Sequence, residues 1–232
     1  MESDATKGRG PGGQGAKGES AKGEGYEDRC RRRLRLASRS PRRYELLARI
    51  GIDCEAIDAP IEEIRRAGEA PRDFVERMAR EKALAGLEAL GALIAGENSL
   101  ALAPLLAADT AVVLDDRVLG KPRDIDQAKE MLQALSGRMH RVLSAVAVIA
   151  DRCEPPRIRI SESRVWFEEI PAFECEDYGA SREGLDKAGA YSIQGRAAIF
   201  ISRLDGSYSG VMGLPLFETA QLLREVGFLP AR

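Results

Sequence analysis

Histidine and cysteine, two of the side chains that most often bind transition metals, are scarce in this chain of 232 residues. The only histidine is His140, so a metal site built on several histidines is excluded. The four cysteines are widely spaced and form no CxxC pair, which predicts reduced thiols and no zinc framework. His140 lies in an apolar stretch that predicts a strand, where a single histidine is typical of a structural polar contact.

An excess of charge of either sign is also absent, because 35 basic residues stand against 37 acidic ones. A general nucleic-acid binder usually carries a strong basic excess, so any positive field here must be local. No run of about 18 apolar residues is present, which argues against a membrane-spanning helix. The N-terminus has no apolar stretch of the kind found in secretory signals. We therefore expect a cytoplasmic protein.

Large apolar side chains are almost missing from residues 1–28, which are rich in Gly, Lys and Glu. Such a composition cannot bury enough surface to offset the entropy lost on ordering. We therefore predict a disordered basic arm over residues 1–33 and one folded domain over residues 34–232. The arm has an alternative interpretation as a nucleic-acid tether, which the balanced charge of the remaining chain disfavours.

Strand and helix signals alternate from Leu34 onward. The apolar periodicity and the positions of Pro and Gly predict helices over 41–50, 71–90, 125–136, 172–178 and 215–226. Strands are predicted over 34–38, 54–60, 104–114, 140–150, 157–170 and 197–204. The strands outnumber those of a simple alternating plan, and several follow one another directly. We therefore predict a mixed α/β (α+β) domain with a large, partly antiparallel sheet flanked by helices.

Two adjacent arginines begin the first predicted helix, in the segment SRSPRR, at the end where the helix dipole disfavours positive charge. Ser38 and Ser40 precede this helix, and Pro41 suits its first position. The unpaired N–H groups of a first turn bind anions, and Arg42 and Arg43 would add charged donors. The segment is consistent with phosphate binding, but a solvated helix start or a Ser-Pro phosphorylation site explains it equally well.

A group of carboxylates and lysines comes from separate elements. Asp109 lies between two apolar runs, where an ionised side chain is costly to bury unless it is paired or bound to a metal. Asp124 follows Lys121 in LGKPRD, and Glu62 and Glu63 follow an early strand. Such a set suits a Mg²⁺-polyphosphate site, because hard cations take oxygen ligands. Taken singly, Asp124 is also a good helix cap, and the two glutamates also suit a solvated turn.

A glycine-rich stretch, LDKAGAYSIQG, occupies residues 185–195. Its Gln194 carries an amide that both donates and accepts hydrogen bonds, which suits the edge of a pyrimidine. On this stretch alone, a surface turn is the simpler interpretation.

These segments, taken in order, resemble the Maf (septum-formation inhibitor-like) nucleotide pyrophosphatases. The motifs are LASRSPRR, REKA, AADTAVVL, LGKPRD, LDKAGAY, IQG and GSYSGVMGLPLFET, and the resemblance extends from Leu34 to Phe228. It implies a fold related to the inosine triphosphate pyrophosphatases and a hydrolase that cleaves nucleoside triphosphates between the α and β phosphates. It also implies a divalent cation (Mg²⁺ or Mn²⁺) as cofactor and a cytoplasmic homodimer, with no membrane and no stable nucleic-acid partner.

The resemblance also implies roles for individual residues. Asp109 matches the position of the family's proton acceptor, or general base. Arg42, Thr110 and Gln194 match the positions that govern substrate choice. The residues expected around the phosphates are Ser38, Ser40, Arg43, Lys82 and Lys121, and those expected around the metal are Glu63, Asp109 and Asp124.

The three specificity positions lie in SPRR, ADT and IQG, whereas the branch of the family that acts on 7-methyl-GTP resembles SPWR, SDQ and SEG. The resemblance therefore implies the dTTP/UTP branch, with modified pyrimidine nucleotides as further candidates. The alternative is a non-catalytic nucleotide-binding regulator of cell division or septum formation, which would not need a general base.

Two residues depart from the family's pattern near the base-reading loop. Ser192 stands where glycine is usual, and Gly184 stands where proline is common. Ser192 would strain the loop if its position required a positive φ.

Overall fold

The computed structural model describes residues 33–93 and 103–230, so the predicted arm lies almost entirely outside the described residues. Within these ranges a seven-stranded sheet has the order β2–β1–β3–β5–β6–β7, and β4 pairs with β3. β1 runs parallel to β2 and β3, and the other pairings are antiparallel. This confirms the predicted mixed sheet. The strands are β1 (Leu34–Leu36), β2 (Cys54–Ala56), β3 (Leu105–Leu114), β4 (Arg117–Leu119), β5 (Met139–Ile149), β6 (Arg157–Phe167) and β7 (Ile201–Asp205).

Helices cover both faces of this sheet. In the part of the chain that is described they are α1 (Pro41–Arg49), α2 (Pro71–Leu93), α3 (Ile125–Leu135), α4 (Ala172–Ala180), α5 (Tyr208–Met212) and α6 (Leu216–Glu225). The long helix α2 packs on one face, and apolar residues of the other helices form two clusters on the opposite face. None of the described helices is long and apolar enough to cross a membrane.

Strand β3 is buried on both faces, and its alternate side chains enter different cores. Leu105, Ala107 and Val113 pack in the cluster under α2. Leu106 belongs to the cluster on the opposite face. Asp109 also points to the α2 face, where the neighbouring side chains of the strand are apolar.

One edge of β3 is open in the middle of the strand. β1 pairs only with residues 105–106, and β4 pairs only with residues 112–114. The other edge of β3 is covered by β5 along almost its whole length. Residues 107–111 therefore lie between the ends of two short strands, and this gap contains Asp109 and Thr110.

The structure differs from the sequence prediction in several places: the strand predicted over 54–60 ends at Ala56, for example, and β4 was not predicted. The strand expected over 197–204 begins only at Ile201, because residues 196–200 form a 3₁₀ turn. Ala197 and Phe200 are both buried, and a spacing of three residues aligns side chains on one face of such a turn. Helix α5 was not predicted, and it begins where Ser207 accepts a hydrogen bond from the backbone N–H of Gly210.

His140 is buried in the core, as expected of a structural histidine. Its Nε2 lies 2.8 Å from the hydroxyl of Tyr191, and its ring packs edge-on against Phe167. Its Nδ1 has no hydrogen-bond partner. Burial disfavours the charged imidazolium and lowers the pKa of His140 from 6.5 to about 4. Among the cysteines, Cys54, Cys153 and Cys175 are free thiols, and Cys30 lies outside the described residues.

The buried His140 predicts acid sensitivity. Because its pKa is lower in the folded chain, protons bind preferentially to the unfolded chain, so stability is lost as the pH falls from about 6.5 to about 4. Between pH 7 and pH 4.5 this histidine should cost about 2 kcal/mol of unfolding free energy. We expect His140→Gln to lose correspondingly less stability over that interval in urea titrations. Identical losses in both proteins would contradict the prediction.

Candidate active site

A cavity of about 460 Å³ lies at the gap in the edge of β3. Its walls come from the β1–α1 turn, the segment after β2, the middle of β3, helix α2, and the loops near residues 186–194 and 211–213. Glu62 does not line the cavity, but ten of the eleven residues to which the resemblance assigned a role do: Ser38, Ser40, Arg42, Arg43, Glu63, Lys82, Asp109, Thr110, Lys121 and Gln194. The structure therefore brings together residues that are up to about 150 positions apart in the chain.

Asp124 is the exception. It is not among the lining residues, and its Oδ1 instead accepts a hydrogen bond of 2.8 Å from the backbone N–H of Gln127. It therefore caps helix α3, which confirms the capping arrangement seen in the sequence. The role of Asp124 around a metal has no support from this geometry and stays a prediction of the resemblance.

Lys82 connects two carboxylates at the centre of the cavity. Its Nζ lies 2.5 Å from Oδ1 of Asp109 and 2.7 Å from Oε1 of Glu63. The side chains of Lys82 and Asp109 are 13% and 8% exposed, whereas that of Glu63 is 47% exposed. The buried pair and the accessible third group form a compact charged centre, and Arg43 and Lys121 lie near it.

The two carboxylates respond differently to this centre. Burial raises the pKa of Asp109 above its ordinary value, and this outweighs the opposing attraction of Lys82 and Arg43. Burial acts in the same direction on Glu63, but the nearby cations Lys82, Lys121 and Arg43 together lower its pKa. Asp109 is thus the more basic of the two carboxylates, and Glu63 is held in the ionised form.

The start of α1 forms a cationic wall. Ser40 is the N-cap residue, and Pro41 begins the helix. Arg43 donates from Nε to the carbonyl of Gly213 at 2.9 Å and from Nη1 to Oγ of Ser38 at 3.0 Å. Burial lowers the pKa of Arg43, whose guanidinium nevertheless remains charged. The helix N-terminus and a fixed arginine therefore face the same cavity.

Arg42 bridges two walls. Its Nη1 lies 2.9 Å from Oδ2 of Asp186, which belongs to the stretch LDKAGAYSIQG. Oδ1 of Asp186 also lies 2.5 Å from Nζ of Lys187. Since the Asp186 side chain is 64% exposed, this ion pair is accessible to a competing anion.

Thr110 belongs to a small hydrogen-bond network of hydroxyls and backbone carbonyls. Its Oγ1 lies 2.9 Å from Oγ of Ser144 and 3.3 Å from the carbonyl oxygen of Gly213. Ser144 donates its own proton to the carbonyl of Gly210 at 2.6 Å. The Thr110 proton must therefore point to Ser144 or Gly213, which leaves Thr110 able to accept, but not donate, a hydrogen bond inside the cavity.

The loop that carries Gln194 tolerates both departures from the family's pattern. Ser192 does not have a positive φ, so the strain considered for it does not arise, whereas Ala190 has φ of 60°. A Cβ added to Gly184 would lie 2.0 Å from the carbonyl oxygen of Ala190, so this turn has no room for a side chain. Gln194 itself is exposed on the cavity wall.

Several groups at the cavity were not singled out from the sequence. Asp186, Tyr191 and Gly213 line the cavity, and Ser144 lies behind Thr110 without lining it. Asp186 lies in a motif that was noted for its glycines and glutamine, so the motif could have drawn attention to it. A backbone carbonyl such as that of Gly213 leaves no signal in the residue pattern.

Comparisons with known proteins bear on the family of this chain. A family model described as "Maf-like protein" matches residues 33–226. A dTTP/UTP pyrophosphatase of Alkalilimnicola ehrlichii is 52% identical over 190 residues, covering 82% of this chain and 91% of that protein. Proteins of the same name from Xanthomonas campestris and Methylococcus capsulatus are each 48% identical, covering 84% and 86% of this chain and 98% and 94% of their own lengths. The chain belongs to the Maf family.

Proposed function

We propose that this chain hydrolyses dTTP and UTP to the nucleoside monophosphate and pyrophosphate. The observation that carries the proposal is the buried Asp109–Lys82 pair, which stands with Glu63 in a cavity walled by the cationic start of α1. Relatives that are about half identical to this chain bear the name dTTP/UTP pyrophosphatase, which supports the same activity here. Modified pyrimidine triphosphates are further candidate substrates.

The cationic wall would hold the triphosphate. The N–H groups at the start of α1 suit phosphate oxygens, with the hydroxyls of Ser38 and Ser40 close by. Arg43, Lys82 and Lys121 would supply charged donors. Arginines at a helix N-terminus are unfavourable by themselves, and a bound polyanion reverses that cost.

The specificity residues would recognise the remainder of the nucleotide. Gln194 offers both a donor and an acceptor, and Thr110 offers only an acceptor. Arg42, which is paired with Asp186, would add a charged donor to this set. Such a mixed pattern of donors and acceptors is what a pyrimidine edge and a sugar hydroxyl require.

The carboxylates present fit a divalent cation, Mg²⁺ or Mn²⁺. No cluster of three or more potential metal ligands exists among residues 33–93 and 103–230. Mg²⁺ is commonly held by one or two carboxylates plus substrate phosphates and water, so Glu63 and Asp109 are sufficient. The cation would neutralise phosphate charge when bound.

Asp109 would act as the general base. Its raised pKa brings the carboxylate closer to the operating pH, where a base accepts a proton most effectively. It would take the proton from the water that attacks phosphorus, while the Lys82 ammonium stays next to it. Lys82, Arg43 and Lys121 would stabilise the charge that develops on the leaving pyrophosphate.

Product analysis tests the proposal. The chain with Mg²⁺ should release pyrophosphate and monophosphate in equal amounts from dTTP and UTP, faster than from ATP or GTP, and chelation of the cation should stop the reaction. Orthophosphate as the first product would contradict cleavage between the α and β phosphates. Tight binding of dTTP without any release would instead support a non-catalytic regulator.

The homodimer, the cytoplasmic location and the absence of a stable nucleic-acid partner remain predictions. Sedimentation of the full chain, with and without residues 1–33, tests the first and shows whether the arm affects assembly.

A further inference from the structure

The segment between β2 and α2, residues 57–70, brings Glu63 to the cavity without the support of a helix or strand. Its first part is anchored by Ile57, which is buried in the core. Residues 62–68 are all exposed, and Ile64 is 65% exposed. Apolar packing therefore does not fix the part of the segment that contains Glu63, and another interaction must do so.

Arg77, in the first half of α2, contacts this segment through two of its three guanidinium nitrogens. Its Nε and Nη2 donate to the two carboxylate oxygens of Glu69 at 2.6 and 2.8 Å. Its Nη1 donates to Oε1 of Glu81 at 3.1 Å, and Nη2 also donates to the carbonyl of Ile64 at 2.9 Å. We call these four residues the Arg77 clasp. Its carbonyl acceptor belongs to the residue that directly follows Glu63.

The clasp differs from an ordinary surface ion pair. The side chains of Arg77 and Glu69 are only 16% and 10% exposed, and the pairing is two-pronged, which fixes geometry as well as charge. Glu69 also accepts a hydrogen bond of 3.0 Å from the backbone N–H of Arg66. The hydrogen bonds from Arg77 lower the pKa of Glu69 to about 2, so the clasp keeps its charge throughout the neutral range.

Helix α2 holds Glu63 at two points. The clasp fixes the adjoining carbonyl, and Lys82, further along the same helix, lies 2.7 Å from the Glu63 carboxylate. Arg77 itself is not among the residues that line the cavity. One helix thus contacts both the backbone and the side-chain end of an otherwise irregular segment, which is also joined to the carbonyl of Asp116 through Arg65.

We propose that Arg77 is a positioning residue that presents the Glu63 carboxylate to the cavity by clasping Ile64 and Glu69. The inference rests on the proposed function for its consequence, which is the affinity for Mg²⁺ and not the chemical step. Partners that orient metal-binding groups typically affect metal affinity by about 10- to 100-fold when they are removed.

Arg77→Met, with Arg80→Met as its matched control, tests the proposal. Arg80 lies on the same helix and pairs with Glu76 one turn earlier, at 2.8 Å, with both side chains about 40% exposed. We expect Arg77→Met to raise the Mg²⁺ concentration for half-maximal pyrophosphate release by at least about tenfold. The turnover number at saturating Mg²⁺ should change by less than about threefold, and Arg80→Met should match the unmodified chain.

Hydrogen exchange of residues 57–70 provides a second readout that needs neither nucleotide nor metal. Backbone amides in this segment should exchange faster in Arg77→Met than in Arg80→Met, while those of β3 and β5 stay unchanged. This separates the two proposals: if the unmodified chain releases no pyrophosphate, the function fails, but the exchange data still decide whether the clasp holds the segment.

Two milder variants keep the test decisive if Arg77→Met does not fold. Arg77→Lys retains one charge but cannot make the two-pronged contact, and Glu69→Gln retains the shape but loses the charge. Both variants should also raise the Mg²⁺ concentration for half-maximal activity, but by less than Arg77→Met does. Unchanged Mg²⁺ dependence together with unchanged exchange in these variants would overturn the inference, as would a fall in turnover number with no change in Mg²⁺ dependence.

Discussion

Replacing Asp109 by asparagine should lower the turnover number for pyrophosphate release from dTTP by about 10²- to 10⁴-fold. Asparagine has nearly the same shape but cannot take a proton from water. The chain should remain folded, because the substitution removes a buried negative charge whose burial is itself unfavourable. Lys82 retains Glu63, at 2.7 Å, as a partner in the variant.

The matched control for this variant is Asp126→Asn. Asp126 lies in the first turn of α3, its side chain is 89% exposed, and it does not line the cavity. Its variant should hydrolyse dTTP at the unmodified rate. Thermal unfolding and binding of a non-hydrolysable dTTP analogue should be measured for both proteins. Full turnover in Asp109→Asn would refute its role as the general base.

The sheet was predictable because its central strands carry long apolar runs. β3 and β5 are buried on both faces, and in the sequence each appears as a long apolar run with turn residues only at its ends. The 3₁₀ turn before Ile201 was not predictable, because Ala197 and Phe200 suit a strand as well as a turn until the core that receives them is known. Local pattern identified the elements, and tertiary packing decided between their alternatives.

A site residue could be predicted from the sequence when no structural role explained its presence equally well. An acidic residue amid apolar neighbours, as at Asp109, indicates a paired or functional group. Asp124 carried two interpretations, and the structure supports the helix cap. Asp186 pairs with Arg42, which is 144 positions away, and Arg77 contacts Ile64, which is 13 positions away. The periodicity of the sequence does not reveal such pairs.

One backbone carbonyl contacts both Arg43, which we propose binds phosphate, and Thr110, which we propose governs substrate choice. The Gly213 oxygen accepts from Nε of Arg43 at 2.9 Å and faces Oγ1 of Thr110 at 3.3 Å. Gly213 also has φ of 121°, a region that side-chain-bearing residues rarely adopt. Arg43 and Thr110 thus depend on the same turn, so substitutions at one are expected to affect the proposed role of the other.

Lys82→Met should affect both activity and stability. The turnover number should fall by about 10²- to 10³-fold, since Lys82 would stabilise charge that develops in the transition state. The unfolding free energy at neutral pH should also fall by about 3 kcal/mol, because Asp109 is left buried next to Glu63 with only Arg43 as a nearby cation. Activity assays and urea titrations measure the two effects on the same preparations.

A double variant separates these effects. Adding Asp109→Asn to Lys82→Met removes the uncompensated buried carboxylate, so most of the lost stability should return while activity stays low. Lys129→Met is the matched control, since Lys129 pairs only loosely, at 3.4 Å, with an exposed aspartate on α3 and should change neither quantity. If the double variant were no more stable than Lys82→Met, the stability loss would come from lost packing of the lysine stem, and the 2.5 Å contact would not be what offsets the burial of Asp109.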